Sequence, residues 1–105
     1  MASGILGQSA PSATTNTTVY TVPASTYSVV NVSILNRGTA PAVVRLAVAA
    51  SATPGNAEYL EYDVSVPPNG VLERTGIAIN ATKNVVVYSS TGDTSVSVYG
   101  LESAA

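Results

Sequence analysis

The amino-acid sequence predicts an all-β domain, an antiparallel β-sandwich of immunoglobulin-like or jelly-roll type with about seven strands. Three observations carry that reading. From Thr17 onward, short valine-rich runs place apolar and polar side chains alternately, as a strand with one buried face requires. Each run is closed by turn chemistry such as Asn36-Arg37-Gly38, Thr53-Pro54-Gly55-Asn56 or Pro67-Pro68-Asn69-Gly70. Neither helical periodicity nor the long crossovers of a parallel sheet appear. At 105 residues the chain makes one domain and can bury a core without disulfides, of which it has none, lacking Cys.

The elements follow in order. Residues 1–16 read as an extended N-terminal arm, and residues 17–105 as the sandwich. The arm holds Gly, Ala, Ser, Thr, Pro and Asn, with Ile5 and Leu6 as its sizeable apolar side chains after Met1. Ordering backbone costs roughly 1–2 kcal/mol per residue, and burying Ile5 and Leu6 returns about 1.5–3 kcal/mol each. Two such anchors cannot order the arm. It is expected to be mobile in the free protein and fixed by backbone hydrogen bonds to a neighbour, as an added strand.

Thr17 to Val22 is the first strand, ended by Pro23, which cannot donate to a ladder. Tyr27 to Leu35 follows, with Val30, Val32 and Ile34 on the buried face and Asn31 and Ser33 on the other. Pro41 stands at the entrance of the third strand, in which Val44, Leu46 and Val48 point inward and Arg45 outward. Glu58 to Val66 alternates so that Leu60, Tyr62, Val64 and Val66 share the buried face. Val71 to Ile79 is bent at Gly76. Asn84 to Ser89 is dense enough in valine to be buried on both faces. Thr94 to Leu101 buries Val96 and Val98.

Composition narrows the function. The chain has no His, Cys, Trp or Phe, so the usual general base is missing and the serines lack a partner to activate them. An enzyme is not expected, and no catalytic residue, cofactor site or metal site is assigned. A net charge of −2 with four basic residues is the wrong balance for a nucleic-acid surface. No apolar stretch approaches a membrane span, and Met1 to Gln8 lacks the basic and apolar regions of a signal peptide. Only 10% of residues are charged, against about 25% in ordinary domains, and such a surface repels its neighbours weakly.

Glu58, Glu61 and Asp63 could gather a hard cation, but no loop motif completes its shell, and pairing with Arg45 or Arg74 across strands is the better account. The six tyrosines are spread over the strands. Core and interface roles suit them better than sugar stacking, since tyrosine offers large contact area at small entropic cost. Candidate interface residues are Ile5, Leu6, Gln8, Tyr20 and Tyr59. The Asn-x-Ser/Thr triplets at Asn16, Asn31 and Asn80 match a glycosylation acceptor pattern and are best read as chance in a chain this rich in Asn and Thr.

Several runs carry a likeness to known proteins. Tyr20-Thr21-Val22-Pro23-Ala24 is followed by Val29-Val30-Asn31-Val32-Ser33-Ile34-Leu35-Asn36-Arg37-Gly38. Further on come Ala57-Glu58-Tyr59-Leu60-Glu61-Tyr62-Asp63 and Asn69-Gly70-Val71-Leu72-Glu73-Arg74-Thr75-Gly76. Together with the opening Leu6-Gly7-Gln8, the ordered set resembles small virion structural proteins of tailed bacteriophages, including cyanophages, over most of residues 5–102. One departure is Ser25, where the pattern leads us to expect glycine after Val-Pro-Ala. The resemblance implies a component of the phage particle: a capsid decoration (cement) protein on the virion surface or, alternatively, part of the neck, tail or a fibre. It implies the major capsid protein or another virion protein as partner and a homo-oligomer, a trimer by preference, with no nucleic-acid or membrane partner. A carbohydrate-binding adhesion module is the rival of a different class.

Overall fold

The computed structural model describes residues 2–105. Among the described residues eight strands form: β1 (Ser3–Ser9), β2 (Thr17–Thr21), β3 (Thr26–Asn36), β4 (Ala42–Ala49), β5 (Tyr59–Val66), β6 (Val71–Ile79), β7 (Asn84–Ser89) and β8 (Thr94–Ala104). A single 3₁₀ turn, Asn56–Glu58, precedes β5. The strands make two four-stranded antiparallel sheets, ordered β1-β8-β3-β6 and β2-β7-β4-β5. The first strand pairs with the last, the second with the seventh, the third with the sixth and the fourth with the fifth. A single long hairpin, wrapped round so that its strands fall alternately into two sheets, gives this nesting. It is the jelly-roll arrangement, so strand order decides between the two sandwich types the sequence left open.

The expected arm is corrected. Ser3–Ser9 is not a free extension but the edge strand of the first sheet, paired along β8 of its own chain from Ser3↔Leu101 to Ser9↔Val96. The sandwich therefore begins at β1 and has one strand more than expected. Weighing Ile5 and Leu6 alone omitted the backbone ladder, in which alternate residues of β1 satisfy groups that the β8 edge would otherwise expose.

The alternation read from the sequence holds along the middle strands. Val30, Val32 and Ile34 of β3 are buried against Val44 and Leu46 of β4, with Val85 and Val87 of β7 and Val96 and Val98 of β8 completing an aliphatic core. Val48 is partly buried and packs on that core. On β7 the intervening Val86 is buried as well, so this strand is covered on both faces.

β5 departs from the expected pattern. Val44 pairs with Val64, but Leu46 pairs with Glu61, so β5 carries an extra residue between them. Asp63 there adopts φ 54°, the left-handed region. The bulge shifts the register by one, and Tyr62, expected on the buried face, is 55% exposed. Ser25 also lies in the left-handed region, at φ 56°. It is the position where the sequence pattern called for glycine, the residue that takes this conformation without a Cβ penalty.

Polar staples tie the sheets together. Asn36, fully buried, donates from Nδ2 to the carbonyls of Ala40 (2.8 Å) and Val66 (3.0 Å) and accepts from the Gly38 amide (2.9 Å). Arg74 on β6 meets Glu61 on β5 at 3.2 Å, bridging the two sheet edges that the β5–β6 turn joins.

Candidate docking faces

The candidate sites are sheet faces, and each is set by strand register. On the outer face of the first sheet, Val29 pairs with Leu101 and Ala78, Ser3 with Leu101, Ile5 with Tyr99, and Tyr27 with Ser103. Cross-strand partners share a face, so Ile5, Leu101, Val29 and Tyr27 form one exposed strip across β1, β8 and β3, with Tyr99 half-buried beside it. The Tyr99 hydroxyl donates to Glu73 Oε2 at 3.3 Å and lies over β3 toward β6.

The second sheet carries a different cluster. The Arg45 guanidinium sits 4.3 Å from the ring centre of Tyr62 and 4.5 Å from that of Tyr88. Its Nε donates to Asp63 Oδ1 at 2.6 Å, and that bond holds the Arg45 pKa above its ordinary value. Tyr59 meets Tyr62 edge to face with ring centres 4.9 Å apart. Three of the six tyrosines are thus gathered on one face, where the sequence showed them scattered. The Asp63 bulge does this by turning Tyr62 outward. The sequence signal that could have found it was the pair Tyr62-Asp63 on an edge strand opposite Arg45.

The predicted interface residues divide between these places. Ile5 is 59% exposed, within the apolar strip. Gln8 is exposed three residues on, its Nε2 donating to Ser97 Oγ at 3.3 Å. Leu6 is partly buried and packs on the core. Tyr59 is half-buried in the cluster of the second sheet. Tyr20 is corrected: it is 8% exposed, a core residue and no surface contact. Its hydroxyl donates to Glu102 Oε2 (2.5 Å) and accepts from Ser28 Oγ (2.6 Å), joining β2 to β8 and β3 across the sandwich. Burial, then the Glu102 carboxylate, push the Tyr20 pKa up to about 12. The Tyr20 hydroxyl and the Ala2 amide in turn hold Glu102 below the usual carboxylate range.

The acidic trio is shared out as the cross-strand reading expected: Asp63 goes to Arg45 and Glu61 to Arg74. Glu58 instead accepts from the Gly55 amide (2.7 Å) and the Ala50 amide (2.9 Å), which lowers its pKa and fixes the 3₁₀ turn. Missed from the sequence were Tyr27, Val29 and Leu101. Val29 has the parity of Asn31 and Ser33, the polar face of its strand, and an apolar residue there was the available signal.

No family model matches the chain, and neither a curated protein nor a solved structure matches it.

Proposed function

We propose that the chain is a structural component of a tailed-phage particle, a capsid decoration protein that bridges neighbouring subunits of the shell. The observation that carries this is the exposed strip of Ile5, Leu101, Val29 and Tyr27 on a single sheet face. Contiguous apolar surface of this kind marks a partner site, and a chain with only 10% charged residues sets little repulsion against close packing. The resemblance of its sequence runs to small virion proteins supplies the kind of partner. Decoration works by multiplicity: each copy adds a modest interface, and docked neighbours strengthen one another through effective concentration. A homotrimer is the preferred assembly, and a place on the neck, tail or a fibre is the nearest alternative.

The test is sedimentation of purified protein with empty capsids, and separately with tails. Binding to shells that raises their melting temperature, and that is lost in a Val29→Ser/Leu101→Ser double variant, supports decoration. Binding to tails alone moves the protein to the tail. Shell binding indifferent to the double variant removes the strip from the mechanism. The cluster of Tyr59, Tyr62, Tyr88 and Arg45 is what favours the carbohydrate-binding alternative. A glycan array checks it, with sugar binding lost in Tyr62→Ala as the outcome in its favour.

A further inference from the structure

β1 is held differently from every other strand. None of the buried core residues lies on it, and Leu6 reaches the core only in part. Its attachment to β8 is the backbone ladder, the Gln8–Ser97 contact, and a reciprocal pair at its start. In that pair the Glu102 amide donates to the Ala2 carbonyl at 2.9 Å and the Ala2 amide donates to Glu102 Oε1 at 3.2 Å. Leu6 also packs on the core, and Gly7 lies against Val19 of β2; all of these partners belong to the same chain, so another copy offers the same set.

The connection to β2, residues 10–16, contains Thr14 at φ 56°. A β-branched residue is a rare occupant of the left-handed region and is strained there. The Thr14 amide donates to the Ser89 carbonyl at 2.8 Å, which holds the strained turn shut. Straightened, a seven-residue connection spans roughly 23–25 Å, and the molecule is 19 Å across its narrowest extent. The strand can therefore reach a copy lying alongside.

The geometry points to exchange of β1 between two copies of this chain: residues before Thr14 swing out as a unit and add to the β8 edge of the other copy, while Thr14 relaxes. The β8 edge matches this occupant. β1 carries Leu6 as an extra residue between Ile5 and Gly7 where it pairs with Tyr99 and Val98, and the same strand from a second copy brings the same bulge to the same register. Exchange of an identical element makes no new contact and loses none. The strained connection sets the balance, as short strained hinges do.

This inference does not draw on the particle reading, and its test uses the chain alone, so failure here leaves capsid binding untouched. Because the chain has no Cys, single thiols report cleanly. Gln8 and Ser97 are direct cross-strand partners. Gln8→Cys chains are mixed with Ser97→Cys chains and oxidised, and the products are read by non-reducing gel and peptide mass spectrometry. Gln8→Cys mixed with Ser65→Cys, an exposed position on the other sheet, measures random collision. Exchange predicts an 8–97 cross-link well above that control, rising with protein concentration. Adding Thr14→Gly to both chains should lower it by roughly 5–30-fold, the strain removed. An 8–97 yield equal to the control overturns the exchange. A high yield that Thr14→Gly leaves unchanged overturns the hinge.

Discussion

The inner ladders and the rim ladders of this roll are built to different rules. β3 and β8 pair without a break from Thr26↔Ala104 to Asn36↔Thr94, and β4 and β7 from Val44↔Ser89 to Ala49↔Asn84. Each of the four edge strands, in contrast, carries at least one extra residue: β1 between Ile5 and Gly7, β2 between Thr18 and Tyr20, β5 near Asp63 and again between Tyr59 and Glu61, and β6 near Gly76. A bulged edge twists away from a straight partner strand and resists edge-to-edge pairing. Stability therefore concentrates in the centre, and the rim is shaped against unspecific strand addition. Partners are left the flat faces.

Two glycines sharpen the comparison most. Gly100 sits in the inner ladder opposite Val30 at φ 154°, and a Cβ there would overlap the Val29 carbonyl oxygen and stand 2.9 Å from the Val30 Cα. Both obstacles are backbone, which cannot rotate aside. Gly100→Ala should cost more than about 4 kcal/mol or abolish folding. Gly76 on the rim, at φ 68°, has open space around it, and Gly76→Ala should cost only about 1–2 kcal/mol. Chemical denaturation of the two variants measures the gap, and equal losses would break the distinction.

Leucines give the next effect. Leu46 of β4 is 1% exposed, and Leu46→Ala should cost about 3 kcal/mol through lost transfer energy and the cavity left behind. Leu6→Ala on β1 should cost about 1 kcal/mol, because a partly buried side chain at an edge loses less area. Urea midpoints at constant slope check both.

The Tyr20 staple adds a pH dependence. Its folded pKa of about 12 stands above the unfolded value of 10, so the neutral phenol is favoured in the fold. The Tyr20 contribution is fully present below pH 10 and is lost as pH rises toward 12, by on the order of 2 kcal/mol. Glu102 acts with the opposite sign. Its folded pKa is depressed, so its contribution is present above the ordinary carboxylate range and is lost as pH falls through the folded value. Tyr20→Phe should cost about 1–2 kcal/mol at neutral pH and flatten the alkaline loss. Melting curves from pH 8 to 12 for both proteins would show it, and an unchanged alkaline slope would count against the staple. The smallest effect is a gain: Ser25→Gly, at φ 56°, should stabilise by about 0.5–1 kcal/mol once the Cβ penalty is gone, read as a small rise in melting temperature.

Much of this architecture was legible in side-chain alternation, because inner strands with unbroken registers keep period two. Val30, Val32 and Ile34 fell where that rule puts them. The rim was not legible, since a bulge resets the period by one residue: Tyr62 turned outward and Leu6 turned inward. Tyr20 read as a surface tyrosine because a hydroxyl is costly to bury without partners, and its partners Ser28 and Glu102 lie on other strands, the latter at the far end of the chain. β1 was hidden for a further reason. Its stability comes from backbone groups, which every sequence possesses, and from the complementary edge of β8. Of the docking faces only Ile5 and Tyr59 showed in the sequence, because a face is made by register between strands distant in the chain.

Amide hydrogen exchange followed residue by residue tests the central contrast most directly. Amides shared by β3 and β8 and by β4 and β7 should exchange last, near the global unfolding limit, with those of β1 exchanging well before them through local opening at the edge. Protection of β1 equal to that of β3 would contradict the account, since the rim would then open only when the whole molecule does.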